Sequence, residues 1–261
     1  IYDPKLTSKF DTTNQPGATS EDWRAAMAIG AHVIQADQIQ ILPQTSPDEK
    51  GFGIGFAWSG HVSMFGVWVD AKTGKRFVNE LANRKVRSLA ILDRLNQGHD
   101  CLAIGDAATA ASFAEIRPGM LKRQLERGVV FEFKTLDEVA KKFNTPAAVL
   151  KQTIEQYNKA VETKKDPIGR PVNAKAKKLG QGPWYVARMS PKIHHCMGGL
   201  YTNDKAQVYH VQGHLIAGLY AAGEATGGVH GAVRLGSCGT ADALINGRIA
   251  GQQAAANKPW M

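Results

Sequence analysis

The sequence predicts a mixed fold, α+β or α/β, in which strand-rich segments near the two ends flank a mostly helical insertion. Three observations lead there. Short runs of β-branched and aromatic residues, "QIQIL", "FGIGFAW" and "MFGVWVD", come early, and "WYVARM", "QVYHV" and "GLYAA" come late. Between them, helical spacing of apolar residues dominates. The chain then closes on a glycine-punctuated stretch, "GLYAAGEATGGVHGAVRLGSCG", that runs into a helix at 239–256.

Taken in order, residues 1 to 36 hold a polar loop, "DTTNQPGATSED", and a helix, "WRAAMAIGAHVI", behind Thr19 and Ser20 as candidate caps. The three early strands follow, with a turn at "AKTGK". "NRKVRSLAILDRLN", "AATAASFAEI", "GMLKRQLERG", "TLDEVAKKFN" and "TPAAVLKQTIEQYNKAVETKK" are read as helices, interrupted by strands at "CLAIGD" and "VVFEF". Thr135 and Glu138 have capping-box spacing, and Thr145 with Pro146 reads as an N-cap followed by the first helical residue. No internal repeat is visible. The texture gives three parts, 1–36, 37–182 and 183–261, of which the first and last make one domain.

Composition excludes several classes. The 43% hydrophobic content is enough for a full core. The net charge of +9 collects in runs such as "VETKKDPIGRPVNAKAKKLG", where no aromatic residues interleave with the lysines. That pattern argues against nucleic acid and for a solvated loop, or for attraction of an anionic substrate. Cys101, Cys196 and Cys238 are widely spaced and form no C-x-x-C, so neither a disulfide framework nor a metal site is expected. There is no run of 18 apolar residues and no signal-like start in "IYDPKLTSKF", which predicts a soluble chain.

The ending carries the chemistry. In "RLGSCGTADALINGRIAG" glycines lead directly into a helix, whose first N–H groups and dipole can hold partial negative charge. The alternative is an ordinary turn into a surface helix. Arg234 has the planar fork that suits a carboxylate. His194 and His195 are adjacent, so on a strand they face opposite ways and one metal would not take both.

Three separated motifs, "KRFVNELANR" at 75–84, "IHHCMGG" at 193–199 and "GLYAAGEATGGVHGAVRLG" at 218–236, occur in the order found in the succinate dehydrogenase flavoprotein family. Together they resemble its flavoprotein reductases related to soluble fumarate reductase and urocanate reductase. The resemblance covers nearly the whole chain. It implies the C-terminal part of a Rossmann-like FAD domain with an inserted, mostly helical capping domain that clamps substrate. It leaves the glycine-rich dinucleotide fingerprint without a counterpart here, so a further chain or segment is expected to supply the N-terminal FAD-binding half.

Roles follow residue by residue from that resemblance. Arg84, closing the first motif, matches the proton donor to the substrate double bond, opposite a hydride from flavin N5; the alternative is an arginine that only starts the next helix. His195 and Arg234 match carboxylate-binding positions, and Ser237 offers a backbone contact. Glu21, His194, Glu224, Gly239 and Thr240 match FAD contacts, and no metal is expected.

Several positions depart from the family. Ser20-Glu21-Asp22 stands where the family has Gly-Asp-Gly, and Cys238 stands for asparagine. Leu42-Pro43-Gln44 replaces His-Pro-Thr, which removes an imidazole for a second carboxylate. The proton-relay residues align near Trp58, Ser59 and Val62, with His61 as a candidate substitute.

A flavin-dependent reductase of an activated alkene is therefore expected. Its substrate would be a 2-enoate with one carboxylate and an apolar or aryl group held against Leu42 and Trp58. The alternatives are a ketosteroid-type flavin dehydrogenase or a flavin-binding partner without turnover. The resemblance also implies a cytochrome electron donor, anaerobic respiration and the periplasm.

Overall fold

The computed structural model describes residues 6, 10–49, 56–173 and 176–257. The chain divides into two compact units. Unit 1 comprises Ile1–Ile41 with Ile193–Met261, and unit 2 comprises Leu42–Lys192.

The outgoing part of unit 1 supplies α1 (Glu21–Ala28), β1 (Val33–Ile34) and β2 (Ile39–Leu42). Unit 2 follows with α2 (Phe56–Phe65), β3 (Val67–Asp70), β4 (Lys75–Arg76), α3 (Arg84–Asn96) and β5 (Cys101–Gly105). It continues with α4 (Ala107–Ile116), α5 (Met120–Glu126), β6 (Phe131–Phe133), α6 (Leu136–Phe143), α7 (Ala147–Thr163) and β7 (Trp184–Met189). The return adds β8 (Lys192–Cys196), β9 (Gly199–Leu200), β10 (Gln207–Tyr209), β11 (Leu215–Tyr220) and α8 (Cys238–Ala256).

Unit 2 is organised by a five-stranded antiparallel sheet of order β4-β3-β5-β7-β6. Successive side chains of a strand point to opposite faces, and here both faces are covered. Val67, Val69, Leu102, Ile104, Trp184 and Val186 pack with Val139, Leu150, Ile154 and Tyr157 from α6 and α7. Trp68, Cys101, Ala103, Ala187 and Met189 pack with Trp58, Val62, Ile91, Ala110 and Phe113 from α2, α3 and α4. Helices on both sides of one sheet make three layers, so the insertion is helix-rich around a central sheet rather than mostly helical.

Some local expectations change. "FGIGFAW" reads as a strand, but Phe56 onward is helical, because Trp58 and Val62 lie one turn apart and bury together; residues 51–55 lie outside the described residues. The first helix stops at Ala28, and Val33–Ile34 instead pairs antiparallel with Gly199–Leu200. Ser20 is the N-cap of α1 but is left-handed (φ 57°), and its side chain makes no capping bond. Thr135 does cap α6, accepting from Glu138 N at 3.2 Å. Pro146, not Thr145, precedes α7 as its cap residue.

Unit 1 has a smaller core of Trp23, Ala26, Ala31, Leu200 and Val208, with Ile216 and Leu219 packed on it. Its backbone is threaded tightly: a Cβ at Gly198 would lie 2.1 Å from Gln35 O, and one at Gly199 would lie 2.5 Å from Ala225 O. The Met-Gly-Gly sequence is therefore a packing requirement of this layer. Strand β2 pairs with β8. The unit boundaries fall at 41/42 and 192/193 rather than at 36/37 and 182/183, since residues 39–41 pair within unit 1 and β7 belongs to the five-stranded sheet.

Candidate flavin and carboxylate site

In unit 1, β8 carries His194 and His195 on opposite faces. His194 Nδ1 lies 2.7 Å from Thr13 Oγ1 and is half-buried. His195 is 6% exposed, and its Nδ1 lies 3.0 Å from Glu224 Oε2. The other carboxylate oxygen, Glu224 Oε1, accepts from Cys196 N at 2.9 Å. Burial works to raise the Glu224 carboxyl, yet bonds from His195 and Cys196 and the charges of His195 and Arg234 bring it below its ordinary value. Glu224 accepts from His195 Nδ1–H and so turns Nε2 away from itself, a nitrogen that donates to an anion when the ring carries both protons. Among the described residues, that buried Nε2 has no hydrogen-bond partner.

Arg234 is 7% exposed. Its carbonyl accepts from Gln40 Nε2 at 2.8 Å and its Nη1 donates to Leu235 O at 2.9 Å, which pins the chain on both sides of the guanidinium. Its buried Nε has no partner among the described residues. Burial lowers the Arg234 pKa, opposed by Glu224 and Cys238. Next to these groups begins α8. Its N-cap, Ser237, is left-handed (φ 68°) and contributes no side-chain cap. A Cβ at Gly239 would lie 3.2 Å from His195 Cε1 and 3.3 Å from Arg234 Cδ, so the first turn of α8 sits directly against both side chains.

Sequence reasoning missed His230 and Asp242. The His230 ring meets His195 edge-on at 5.6 Å between centroids. Its Nε2 is 3.2 Å from Asp242 Oδ2, within ionic range though off the hydrogen-bond line. Each imidazole therefore faces its own carboxylate. The signal was present in the quoted "VHGAVR", but nothing in the spacing to Asp242 on α8 marks the pair.

Elsewhere in unit 1, a cleft of about 240 Å³ is lined by Asn14, Ser20, Asp22, Trp23, Cys196 and Glu224. Glu21, flanked by two of these residues, is exposed at the start of α1. Ser237 and Thr240 are exposed and Gly239 is half-buried.

In unit 2, Arg84 is the first residue of α3, and Asn83 caps that helix by accepting from Val86 N at 3.0 Å. The rest of its motif forms a buried ion network. Arg76 donates Nε and Nη2 to the two oxygens of Glu80 at 2.7 Å each, and Nη1 to Asp166 at 2.7 Å. Glu80 is fully buried and also accepts from Trp68 N at 3.1 Å and from Arg170 at 3.3 Å, while its carbonyl takes Arg87 Nη1 at 3.0 Å. Burial opposes the charge on Arg76, but Glu80 and Asp166 raise its pKa above the usual arginine value. Arg87 is lowered to about 10, first by burial and then by Arg84 one turn away. The network fixes the turn leading into α3 and so the position from which Arg84 departs.

One residue given a pocket role lies elsewhere than expected. Trp58 is fully buried in the core of unit 2, edge-on to Phe113 and Tyr185, and has no surface on which a substrate could stack. Ser59 and Val62, at the aligned relay positions, are likewise fully buried. His61 is no free relay: its Nε2 is 2.8 Å from Ser112 Oγ, its ring packs on Phe65 and Phe113, and burial lowers its pKa. Leu42 is 4% exposed.

The polar set of unit 1 suits an electron-rich ring and a carboxylate: among the described residues His195 Nε2, His230 Nε2 and Arg234 Nε are buried without hydrogen-bond partners, near a helix start without a side-chain cap. Such a set is what a flavoprotein needs where its ring meets an anionic substrate. The chain belongs to the FAD binding domain family, whose model matches residues 4–240, and FAD is the cofactor this membership indicates. It is 39% identical over 251 residues to the acrylate reductase flavoprotein subunit of Shewanella woodyi, covering 95% of this chain and 49% of that protein. A solved open conformation of a flavocytochrome c3 fumarate reductase superposes with a TM-score of 0.71 at 31% identity, over 98% of this chain and 43% of that one. The 3-ketosteroid delta1-dehydrogenase of Sterolibacterium denitrificans gives a TM-score of 0.72 at 25% identity, over 98% and 50%. The chain thus spans about half the length of these relatives.

Proposed function

We propose that the chain is the substrate-binding portion of a flavin-dependent reductase of a carbon–carbon double bond conjugated to a carboxylate. The observation that supports this most is that His195 Nε2 and Arg234 Nε are buried without partners among the described residues, on side chains that lie against the first turn of α8. FAD, when bound, supplies the hydride. Glu21, His194, Glu224, Gly239 and Thr240 hold the cofactor, and His195, Arg234 and the Ser237 backbone hold the carboxylate. Arg84 protonates the carbon that becomes carbanionic; position and electrostatics offset much of the weakness of a guanidinium as an acid.

The preferred substrate is a monocarboxylate with an apolar or aryl substituent. Leu42 offers no donor to a second carboxylate, which would lose its hydration there without compensation. His61, already engaged within unit 2, is not a ready replacement. The acrylate reductase relative supports this direction. A cytochrome donor and a periplasmic setting belong to the same proposal.

The test is a competition in the complete flavoprotein between fumarate and an acrylate or arylacrylate, under one reduced electron donor. The monocarboxylate is expected to win by at least about tenfold in kcat/KM. Equal or better turnover of fumarate overturns the substrate assignment. The ketosteroid dehydrogenase neighbour favours a second reading, oxidation of a steroid ring; its test is flavin reduction by a 3-ketosteroid, with no enoate turnover.

A further inference from the structure

Three thiols occur, in different surroundings. Cys101 is buried in the sheet of unit 2, and burial with Asp70 and Asp100 pushes its thiol well up. Cys196 is half-buried, and burial with Glu224 pushes it up as well. Cys238 is exposed and is the first residue of the 19-residue helix α8. An exposed thiol at a helix start is not by itself a site. What distinguishes this one is the next residue, Gly239, whose Cα packs on His195 and Arg234 so closely that a Cβ would be 3.2 and 3.5 Å from His195 Cε1 and Arg234 Nε. Both side chains are more than nine-tenths buried, and Arg234 turns its Nε, which has no partner among the described residues, toward this turn. Arg234 and Cys238 are also close enough to interact electrostatically.

We propose that Cys238 is a covalent capture site for electrophilic 2-enoates, the anion being delivered to it by Arg234 and His195. The thiolate sulfur bonds to the β-carbon of the enoate, the π pair moves to the α-carbon, and that carbon takes a proton. Thiol plus alkene becomes one saturated thioether carboxylate, and no external oxidant or reductant is consumed. Addition needs a thiolate and an accessible β-carbon; reduction needs a hydride. When no hydride is delivered, an enoate held by its carboxylate remains beside the thiol, and the enzyme takes its own class of substrate as a slow covalent ligand.

This rests on reading Arg234 and His195 as a carboxylate receptor, so the test separates the two. The oxidised full-length flavoprotein is incubated with acrylate or with acrylamide at pH about 8.5, where an ordinary thiol is half ionised. The adducts at Cys238 and Cys196 are then measured by peptide mass spectrometry. Acrylamide is the neutral analogue and the better intrinsic electrophile. Delivery predicts that acrylate labels Cys238 at least ~10-fold faster than acrylamide does, since a receptor raises local concentration. At Cys196 the order is the reverse. Excess propionate, which cannot react, should protect Cys238, and Arg234→Gln should remove the preference. The ratio in the unaltered protein decides the matter even if that variant does not fold. Labelling by acrylate no faster than by acrylamide, with propionate binding seen by calorimetry, overturns the capture site and keeps the receptor. Absence of both overturns the receptor too.

Discussion

At Glu224 the two carboxylate oxygens have separate tasks, one holding His195 and the other the backbone of Cys196. Its carboxyl is depressed, so its contribution to stability is fully present above the unfolded-state value near ~4.3 and is lost as pH falls through the lower folded value. Glu224→Gln is therefore expected to flatten the acid limb of a melting-temperature profile between about pH 5 and 3. An unchanged limb would count against the pairing. The same substitution frees the tautomer of His195 and should raise KM for the enoate more than it lowers kcat. For Arg84 the expectation is the opposite split. Arg84→Ala in the complete enzyme should cost roughly 100-fold to 10,000-fold in alkene reduction, the usual worth of a general acid, and leave the flavin absorbance in place. Turnover within about threefold of the parent would assign the proton elsewhere.

On the scale of elements, α3 links sequence to site most directly. Asn83 was read only as the first residue of the helix "NRKVRSLAILDRLN", yet its side chain closes the first turn from outside the helix and so fixes where Arg84 begins. Asn83→Ala should cost about 1 kcal/mol, the typical value of a lost cap, and lower the melting temperature by about 2–4 °C, whereas Asn83→Asp should recover most of it. Differential scanning calorimetry of the three proteins checks this. The helices of unit 2 could be read from the sequence because their periodicity is local. The end of the expected strand "FGIGFAW", from Phe56 on, was misread because a helix buried among aromatic side chains shows no polar face, and a short apolar run does not distinguish the two periods. Trp58 was misplaced for the same reason: in the sequence, a core tryptophan and a stacking platform look alike, and only its edge contacts with Phe113 and Tyr185 separate them.

For the whole molecule, the legible part was the out-and-back course of the chain. The hidden part was the long-range pairing. His230 with Asp242, Arg76 with Asp166, and Glu80 with Arg170 are joined across 12 to 90 positions by packing that no window of sequence contains. Among the described residues no helix is long and apolar enough to cross a membrane. Yet α8 carries Leu244 and Ile245 at 70% and 61% exposure, and its one buried residue is Asp242. Apolar side chains on a closing helix want a cover, and the sequence holds no glycine-rich dinucleotide fingerprint. A polypeptide of these 261 residues alone should therefore bind FAD weakly, leaving the protein colourless after gel filtration with the cofactor. A yellow, stoichiometric complex would show that the ring-side contacts suffice.

The pairing of β2 with β8 has a consequence for how such a protein can change. The chain leaves unit 1 at the end of one of these strands and comes back at the start of the other. To unit 1, the 151 residues 42–192 are a single closed loop whose mouth is already bridged by backbone hydrogen bonds. Lengthening, shortening or exchanging that loop alters the closure entropy only logarithmically, by about 0.6 kcal/mol per doubling. The residues proposed to receive the carboxylate, His195 and Arg234, and the one proposed to deliver the proton, Arg84, thus lie on separate units of the chain. Recombination at the β2 and β8 strands can exchange residues 42–192 as one block while unit 1 keeps its own core and strand pairings.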